Sequence, residues 1–471
     1  MNDIGVHDPR TGRIERRLTP PSRDELARIA ADARAAQPAW EARGPRGRAT
    51  ALRALADALD KHADTLLDAL VRDTGRAYES RMEAGQVAAM ARRWADAAEP
   101  LLTTAPRPSS VLPGITLETA PRAYPLVGVI TPWNFPLLLG LIDAIPALAA
   151  GCAVVVKPSE VTPRFIAPLR RVIAEVPDIA KVLAVVEGGA PTGAALVGLV
   201  DLVCFTGSVP TGRIVGAAAQ RRFIPAFLEL GGKDPAIVLP GADLDRAGSA
   251  LLWGACANAG QSCLSIERIY VHASVHDELV GLLTAKAEQV NLAYPEPSDG
   301  AIGPLIDPDQ AAVIAAQLAD ARAKGAVVAT GGRIERHGGG HWIRPTVLTA
   351  VDHTMTVMRE ETFGPLMPVM PFGTEDEAVA LANDSDYGLS GAVFGPDPAA
   401  ARAVARRLDV GAVSINDAAL TALVHEGEKH SFRYSGLGGS RMGDASLRRF
   451  VRSQTLIDNS TTGRDPWWNT P

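Results

Sequence analysis

The chain has 471 residues, and 47 Lys and Arg stand against 53 Asp and Glu, a net charge of −6. With 47% apolar and 21% charged residues it is ordinary globular material, long enough for roughly three domains or two large ones. That balance excludes a global attraction to nucleic acid or anionic lipid. Four cysteines, Cys152, Cys204, Cys256 and Cys263, are too few for a disulfide scaffold and lack zinc-ligand spacing, so a reduced, cytoplasmic setting without a bound metal is expected.

Met1 to Pro20 is polar, without the apolar core of a signal peptide. Ser22 and Glu25 form a Ser-x-x-Glu capping box, which predicts a helix through Leu26, Ile29 and Ala33. A second helix is predicted over Arg48–Arg72, striped by Leu52, Leu55, Leu59, Leu66 and Leu70. A third covers Arg76–Ala98. Ile115–Ala120 and Arg122–Thr131 read as extended segments bent at Pro121 and Pro125. The apolar stretch from Tyr124 to Pro158 is broken by Pro132, Pro136, Gly140, Pro146 and Gly151. It therefore reads as buried strand, loop, helix and strand, not as a membrane span.

Strands are predicted at Val127–Thr131, Ala153–Lys157, Val182–Glu187 and Leu202–Phe205, with helices over Leu137–Ala150, Pro163–Ala174 and Pro191–Leu199. A second run places strands near Pro235–Leu239, Arg268–Val271, Ala326–Thr330, Met367–Phe372 and Ala412–Ile415. This alternation implies an α/β fold of two doubly wound parallel-sheet domains, with a seam near Glu229–Lys233. Phe450–Ile457 reads as a short terminal strand, followed by a loose polar tail carrying Trp467 and Trp468.

Cys152, Cys204 and Cys256 lie in apolar runs and read as core. Cys263 sits in the small, polar Asn258-Ala-Gly-Gln-Ser-Cys263; local context leaves it a nucleophile or an ordinary loop cysteine. Glu229, at an apolar strand end before two glycines, is a candidate general base or an outward-facing strand residue. Glu361 is ambiguous by itself. No Gly-x-Gly-x-x-Gly follows any strand, but Thr206-Gly207-Ser208 at a strand-to-helix turn suits a pyrophosphate. Lys157-Pro-Ser-Glu160, after a parallel strand, is a ribose site or a solvated strand exit.

Taken in order, Gly128-Val-Ile-Thr-Pro-Trp-Asn134-Phe-Pro136, Lys157-Pro-Ser-Glu160, Phe205-Thr-Gly-Ser208, Leu228-Glu-Leu-Gly-Gly-Lys233, Asn258-Ala-Gly-Gln-Ser-Cys263 and Glu361-Thr-Phe-Gly-Pro365 resemble the aldehyde dehydrogenase superfamily along essentially the whole chain. The resemblance implies oxidation of an aldehyde to a carboxylic acid with NAD, NADP being a second option. Cys263 attacks the carbonyl, and Asn134 with the Cys263 N–H holds the oxyanion. Hydride leaves to the nicotinamide, and Glu229 activates the water that hydrolyses the thioester. Thr131, Pro132, Trp133, Lys157, Ser159, Glu160, Gly207, Ser208, Glu361 and Phe363 are the implied cofactor residues. The implied layout is a cofactor-binding domain from 1–104 and 125–230 and a catalytic domain from 231–446. A small protruding sheet from 105–124 and 447–471, with no partner in its own domain, would exchange between subunits of a homodimer or homotetramer.

The usual Pro-Phe-Gly-Gly segment before Ser-Gly-x-Gly is replaced by Glu428-Lys429-His430-Ser431. The loop Asn416–Lys429 ahead of it carries His425, and His425 and His430 read as solvated. Asp143 stands where many hydrolytic members carry Lys. Leu139, Ile142 and Leu264 fall at substrate-tunnel positions, which favours an apolar or aromatic aldehyde. Arg433 is the arginine considered for a distal carboxylate. Alternatives are a semialdehyde dehydrogenase, a coenzyme A-acylating dehydrogenase and a catalytically silent binding protein.

Overall fold

The computed structural model describes residues 3–460. The tail with Trp467 and Trp468 lies outside them. Ser22 caps the helix Arg23–Ala42 through the expected reciprocal bonds with Glu25. The predicted second helix is two, Gly44–Lys61 and Ala63–Thr74, divided at His62. The next runs over Tyr78–Leu102. The predicted helix Leu137–Ala150 also divides, into Pro136–Ile142 and Ala144–Ala150. Pro146 explains the break: it has no N–H to give and its ring crowds the carbonyl of Ile142. An N-terminal hairpin of Ile4–His7 and Ile14–Leu18 has no counterpart in the expectations, because its sequence is too polar to read as a strand pair.

The first large sheet runs Leu183–Val185, Ala153–Lys157, Leu126–Ile130, Leu202–Thr206, Ala226–Glu229 and Gly436–Leu437. The first five strands are parallel. Gly436–Leu437 is antiparallel, with Gly436 opposite Glu229. The chain starts this sheet at Leu126–Ile130, builds outward in one direction, then returns to build the other way from Leu202–Thr206. The order therefore reverses between those two strands. In doubly wound sheets the crevice at the carboxyl ends of such a pair is where ligands bind.

The second sheet orders Val327–Thr330, Thr346–Thr349, Leu366–Phe372, Ile266–His272, Asp234–Val238, Ser390–Phe394 and Ala412–Ile415. Ser390–Phe394 is buried at every position. Its Ser-Gly-Ala start carries little strand signal, and sequence reading does not find it. One apolar core extends from Leu26 to Leu230 and takes in Leu447 and Phe450. Two more cover the faces of the second sheet.

The protruding segments differ from expectation. They do not lack a partner in their own chain: Val451–Asn459 pairs antiparallel with Ile115–Ala123 from Val451 opposite Ala123 to Asn459 opposite Ile115. Nor is the inner strand bent at Pro121, which stands opposite Ser453. The third strand, Arg107–Pro108, reaches only Leu117 and Thr116, so Pro121 has the open setting in which a proline is tolerated in a sheet. Among the described residues no helix is long and apolar enough to cross a membrane.

Candidate active site

Cys263 is placed by a loop that turns left-handed three times. The helix Leu244–Cys256 ends, and Asn258, Ala259 and Gly260 follow at φ 56°, 53° and 70°. A side chain on Gly260 would run into the Gly364 carbonyl, so glycine is required there. Asn258 and Gln261 of the motif are buried. Gln261 Nε2 donates to Asn258 O (2.9 Å) and Pro304 O (3.2 Å), and its Oε1 accepts from Ile306 N at 2.8 Å. The Asn258 N–H donates to Glu79 (2.8 Å). Cys263 alone of the four cysteines remains part-exposed, and the other three are buried as expected. Burial pushes its thiol up to about 12; Lys429 and Arg441 pull the other way, while Glu361 and Glu229 add to the rise.

Asn134 follows the strand Leu126–Ile130 and is 3% exposed. Its Nδ2 donates to Gln261 O at 3.0 Å, which spends one of two N–H bonds and ties it to the Cys263 loop. Its backbone carbonyl accepts from Arg76 (2.9 Å) and Asn258 Nδ2 (3.2 Å). Arg76 also stacks 4.6 Å over the Phe135 ring. Sequence reading does not find Arg76, which packs here from the helical part of the chain.

Glu229 ends the strand Ala226–Glu229, with its side chain 14% exposed. Ser431 Oγ donates to Glu229 Oε2 at 2.9 Å, and Lys429 Nζ stands 3.9 Å from the same oxygen. Both come from the segment that replaces the family's usual one. Cys263, Asn134 and Glu229 line one cavity of about 140 Å³, whose wall includes Leu139, Ile142 and Leu264 together with Lys429 and Arg441. His425 also lines it and is part-buried, which corrects the solvated reading; burial lowers its pKa. His430 is exposed. Arg433 is not in this wall; it pairs with Asp409.

Asp143 is 1% exposed and sits between two arginines, Arg441 at 2.9 Å and Arg449. Burial works to raise its pKa, yet the two guanidiniums outweigh it and hold the carboxyl below its ordinary range. Arg441 also donates to Thr206 Oγ1, and its Nε has no partner.

A second cavity of about 200 Å³ meets Cys263 from the other side, lined by Pro132, Trp133, Gly207, Ser208, Glu361 and Phe363. It opens at the crevice between the two central strands. Ser208 caps the helix Val209–Arg221 with its hydroxyl on Thr211 Oγ1 (3.2 Å) and not on a backbone N–H, which leaves the first-turn N–H groups free for an anion. Thr131 Oγ1 is buried and unpartnered. Thr131, Lys157, Ser159 and Glu160 lie at the ends of the neighbouring strands, where Lys157 Nζ donates to Glu160 at 3.1 Å and Ser159 Oγ accepts from Val161 N at 3.2 Å.

Glu361 Oε1 accepts from the Gly232 N–H at 3.0 Å. Burial, with Glu267 next, pushes its carboxyl up to about 8. Glu267 accepts from the N–H groups of Thr362 (2.7 Å) and Phe363 (2.8 Å) and pairs with Lys233 at 2.7 Å. That buried pair holds Phe363 at φ 51°, its ring 5.4 Å edge-on from Trp133. A free helix N-terminus, a glycine turn, an unpartnered buried hydroxyl and an apolar slot between Trp133 and Phe363 fit a nicotinamide dinucleotide.

A model described as aldehyde dehydrogenase family matches residues 2–456. A relative from Mycolicibacterium smegmatis, named "Putative succinate-semialdehyde dehydrogenase" with NADP(+), is 36% identical over 97% of this chain and 89% of its own. Among solved structures, "Putative Aldehyde Dehydrogenase PutA" from Anabaena variabilis is 54% identical, with TM-score 0.98 and full coverage of both chains. Betaine aldehyde dehydrogenase from Staphylococcus aureus, solved with NAD+, is 30% identical, with TM-score 0.92 over 100% of this chain and 94% of that one.

Proposed function

The chain belongs to the aldehyde dehydrogenase family, an NAD(P)-dependent oxidoreductase, and from that premise we propose that it oxidises an apolar or aromatic aldehyde to the free acid by way of Cys263. The observation that carries this reading is the single cavity lined by Cys263, Asn134, Glu229 and the aliphatic trio Leu139, Ile142 and Leu264.

In this reading the Cys263 sulfur adds to the aldehyde carbon, and the second N–H of the Asn134 amide, with the Cys263 N–H, takes the developing oxyanion. One such donor is worth about 3–4 kcal/mol of barrier. When bound, the nicotinamide supplies the hydride acceptor. Glu229 Oε1 then takes a proton from water as its oxygen attacks the acyl carbon, the C–S bond breaks, and the acid leaves. A placed Glu229 argues for hydrolysis over transfer to coenzyme A, which needs no such base. Thr131, Pro132, Trp133, Gly207 and Ser208 would hold the dinucleotide, with Lys157, Ser159 and Glu160 on the adenosine ribose and Glu361 and Phe363 on the nicotinamide side. A carboxylate at Glu160 disfavours a 2′-phosphate, so NAD is the first cofactor and NADP the second.

A semialdehyde with a distal carboxylate is the second reading, favoured by the unpartnered Nε of Arg441 in the cavity wall and by the name of the mycobacterial relative. Against it, Arg441 is already engaged by Asp143 and Thr206. Rates with benzaldehyde, hexanal and succinic semialdehyde at fixed NAD decide between them. The first two should exceed the third in kcat/KM, and a clear preference for succinic semialdehyde would reverse the order.

The same reading divides the chain into a cofactor-binding unit (1–104 and 125–230), a catalytic unit (231–446) and a subunit-contact sheet from 105–124 and 447–471. The outer strand Val451–Asn459 of that sheet leaves Leu456 and Ile457 46% and 68% exposed, which supports pairing with a second copy.

A further inference from the structure

We propose that Lys429 is a positioning residue for deacylation: together with Ser431 it anchors one oxygen of Glu229 and leaves the other for water. The inference rests on Glu229 being the base.

The anchoring is asymmetric. Ser431 Oγ at 2.9 Å and Lys429 Nζ at 3.9 Å both address Oε2. Oε1 makes no hydrogen bond to the described residues. A base that must accept a proton from water needs one such free oxygen, and fixing the other selects its rotamer.

The cation is committed to this task by its surroundings. The Lys429 side chain is 6% exposed. Its charge reaches three groups, Glu229, Cys263 and Asp234. Asp234 is already bonded to the Ser390 hydroxyl and N–H, so Glu229 is the carboxylate of that set that lines the cavity. Around Glu229 the charged and titratable neighbours are Lys429, Arg441 and Cys263. Arg441 is already engaged by Asp143.

The backbone fixes the same geometry. The Lys429 N–H donates to buried Ser440 Oγ at 3.2 Å. A few residues on, Gly436 pairs with Glu229 across the sheet. One segment thus supplies both the strand beside Glu229 and the groups on its carboxylate. Asp143 cannot furnish a cation from the helix after Asn134, and Lys429 brings one from the segment beside Glu229.

The test uses 4-nitrophenyl acetate on the full-length protein without cofactor. Thiolate attack on the ester expels 4-nitrophenolate as a burst, and water then cleaves the acetyl thioester, releasing acetate and the thiol. Deacylation is followed at one fixed pH in wild type, Lys429→Met, Lys429→Arg, Ser431→Ala, Glu229→Gln and Glu229→Gln/Lys429→Met. Without the cation Ser431 alone fixes the Glu229 carboxyl, so deacylation in Lys429→Met should fall roughly tenfold through misplacement of the base. The burst should remain. Lys429→Arg should restore most of the rate, and Lys429→Met should add nothing in the Glu229→Gln background. Ser431→Ala should slow deacylation the same way by less, and it stands in if Lys429→Met does not fold. Unchanged deacylation in Lys429→Met, or an equal loss with and without Glu229, overturns the proposal. Unchanged deacylation in Glu229→Gln would instead remove Glu229 as the base; a stalled Glu229→Gln beside a normal Lys429→Met removes Lys429 alone.

Discussion

Gly232 and Cys263 stand so close that a β-carbon on Gly232 would lie 2.5 Å from the Cys263 carbonyl oxygen. The same glycine gives its N–H to Glu361. One backbone position therefore touches both the nucleophile loop and the cofactor-side carboxylate. Gly232→Ala should displace one or both, and a misplacement of about 1 Å costs on the order of 10²-fold in rate. The expected outcome is a folded protein, by circular dichroism, with kcat/KM down by about that factor. Activity within threefold of wild type would show that the loop yields without cost.

Cys263 and Glu229 should separate the two halves of the reaction. Cys263→Ala should lose turnover and the burst while keeping dinucleotide binding, measured by fluorescence titration. Glu229→Gln should keep a burst of about one NADH per site and then turn over ~10²–10⁴-fold more slowly, the usual loss for a general base. A Glu229→Gln variant with no burst would place this residue before thioester formation.

Much of this site is readable from the chain because its motifs are local. Asn258 to Cys263 folds as a loop whose polar residues bond to one another and to the segment Pro304–Ile306. What is not readable is whatever joins distant segments. Ser431 meets Glu229 across 202 residues and Arg441 meets Asp143 across 298. Nothing in the local pattern of either member announces the other. Asp143 as a departure from the family's lysine, and Glu428-Lys429-His430-Ser431 as a departure from its usual segment, are both visible in the sequence. Only the fold shows that Lys429 from the second departure reaches the cavity beside Glu229, and that Arg441 in the same lining answers Asp143. The pairing of Val451–Asn459 with Ile115–Ala123 escaped for the same reason.

The pair of arginines on Asp143 makes that position sensitive. Asp143→Asn would leave Arg441 and Arg449, with side chains 8% and 4% exposed, without their buried counter-charge. Removing one partner from a buried ion pair costs about 3–5 kcal/mol. Urea unfolding should show a loss of that size, larger than for the exposed pair Arg53–Asp96 broken by Asp96→Asn, which should cost no more than about 1 kcal/mol. Equal losses would mean that water reaches the triad.

Glu361 should make the stability of the cofactor-free protein pH-sensitive. Its carboxyl is pushed by burial up to about 8, against an ordinary value of 4.5. A raised acid binds its proton more tightly folded than unfolded, so its contribution to stability is full below the ordinary value and falls as pH rises through 8. Glu361→Gln keeps the neutral shape and cannot ionise. Wild type should therefore lose more Tm than Glu361→Gln between pH 6 and pH 9, with the two nearest each other at the lower pH. Parallel loss in both proteins would show that Glu361 is already ionised at pH 6.

The terminal strand offers the last test. Val451–Asn459 covers one edge of Ile115–Ala123 within the chain, and its own side chains are mostly exposed, Ile457 at 68%. An outer strand with apolar residues on view invites another chain. Full-length protein should sediment as a dimer or tetramer at micromolar concentration. Removing Val451 to Pro471 should lower that state, or precipitate the protein by uncovering the edge of Ile115–Ala123. A milder change, Ile457→Lys, keeps the intrachain ladder and places a charge on the exposed strand, the device that natural edges use against pairing. It should weaken association without loss of Tm at low concentration. A monomeric full-length chain, or unchanged association in both variants, would confine this strand to its intrachain role.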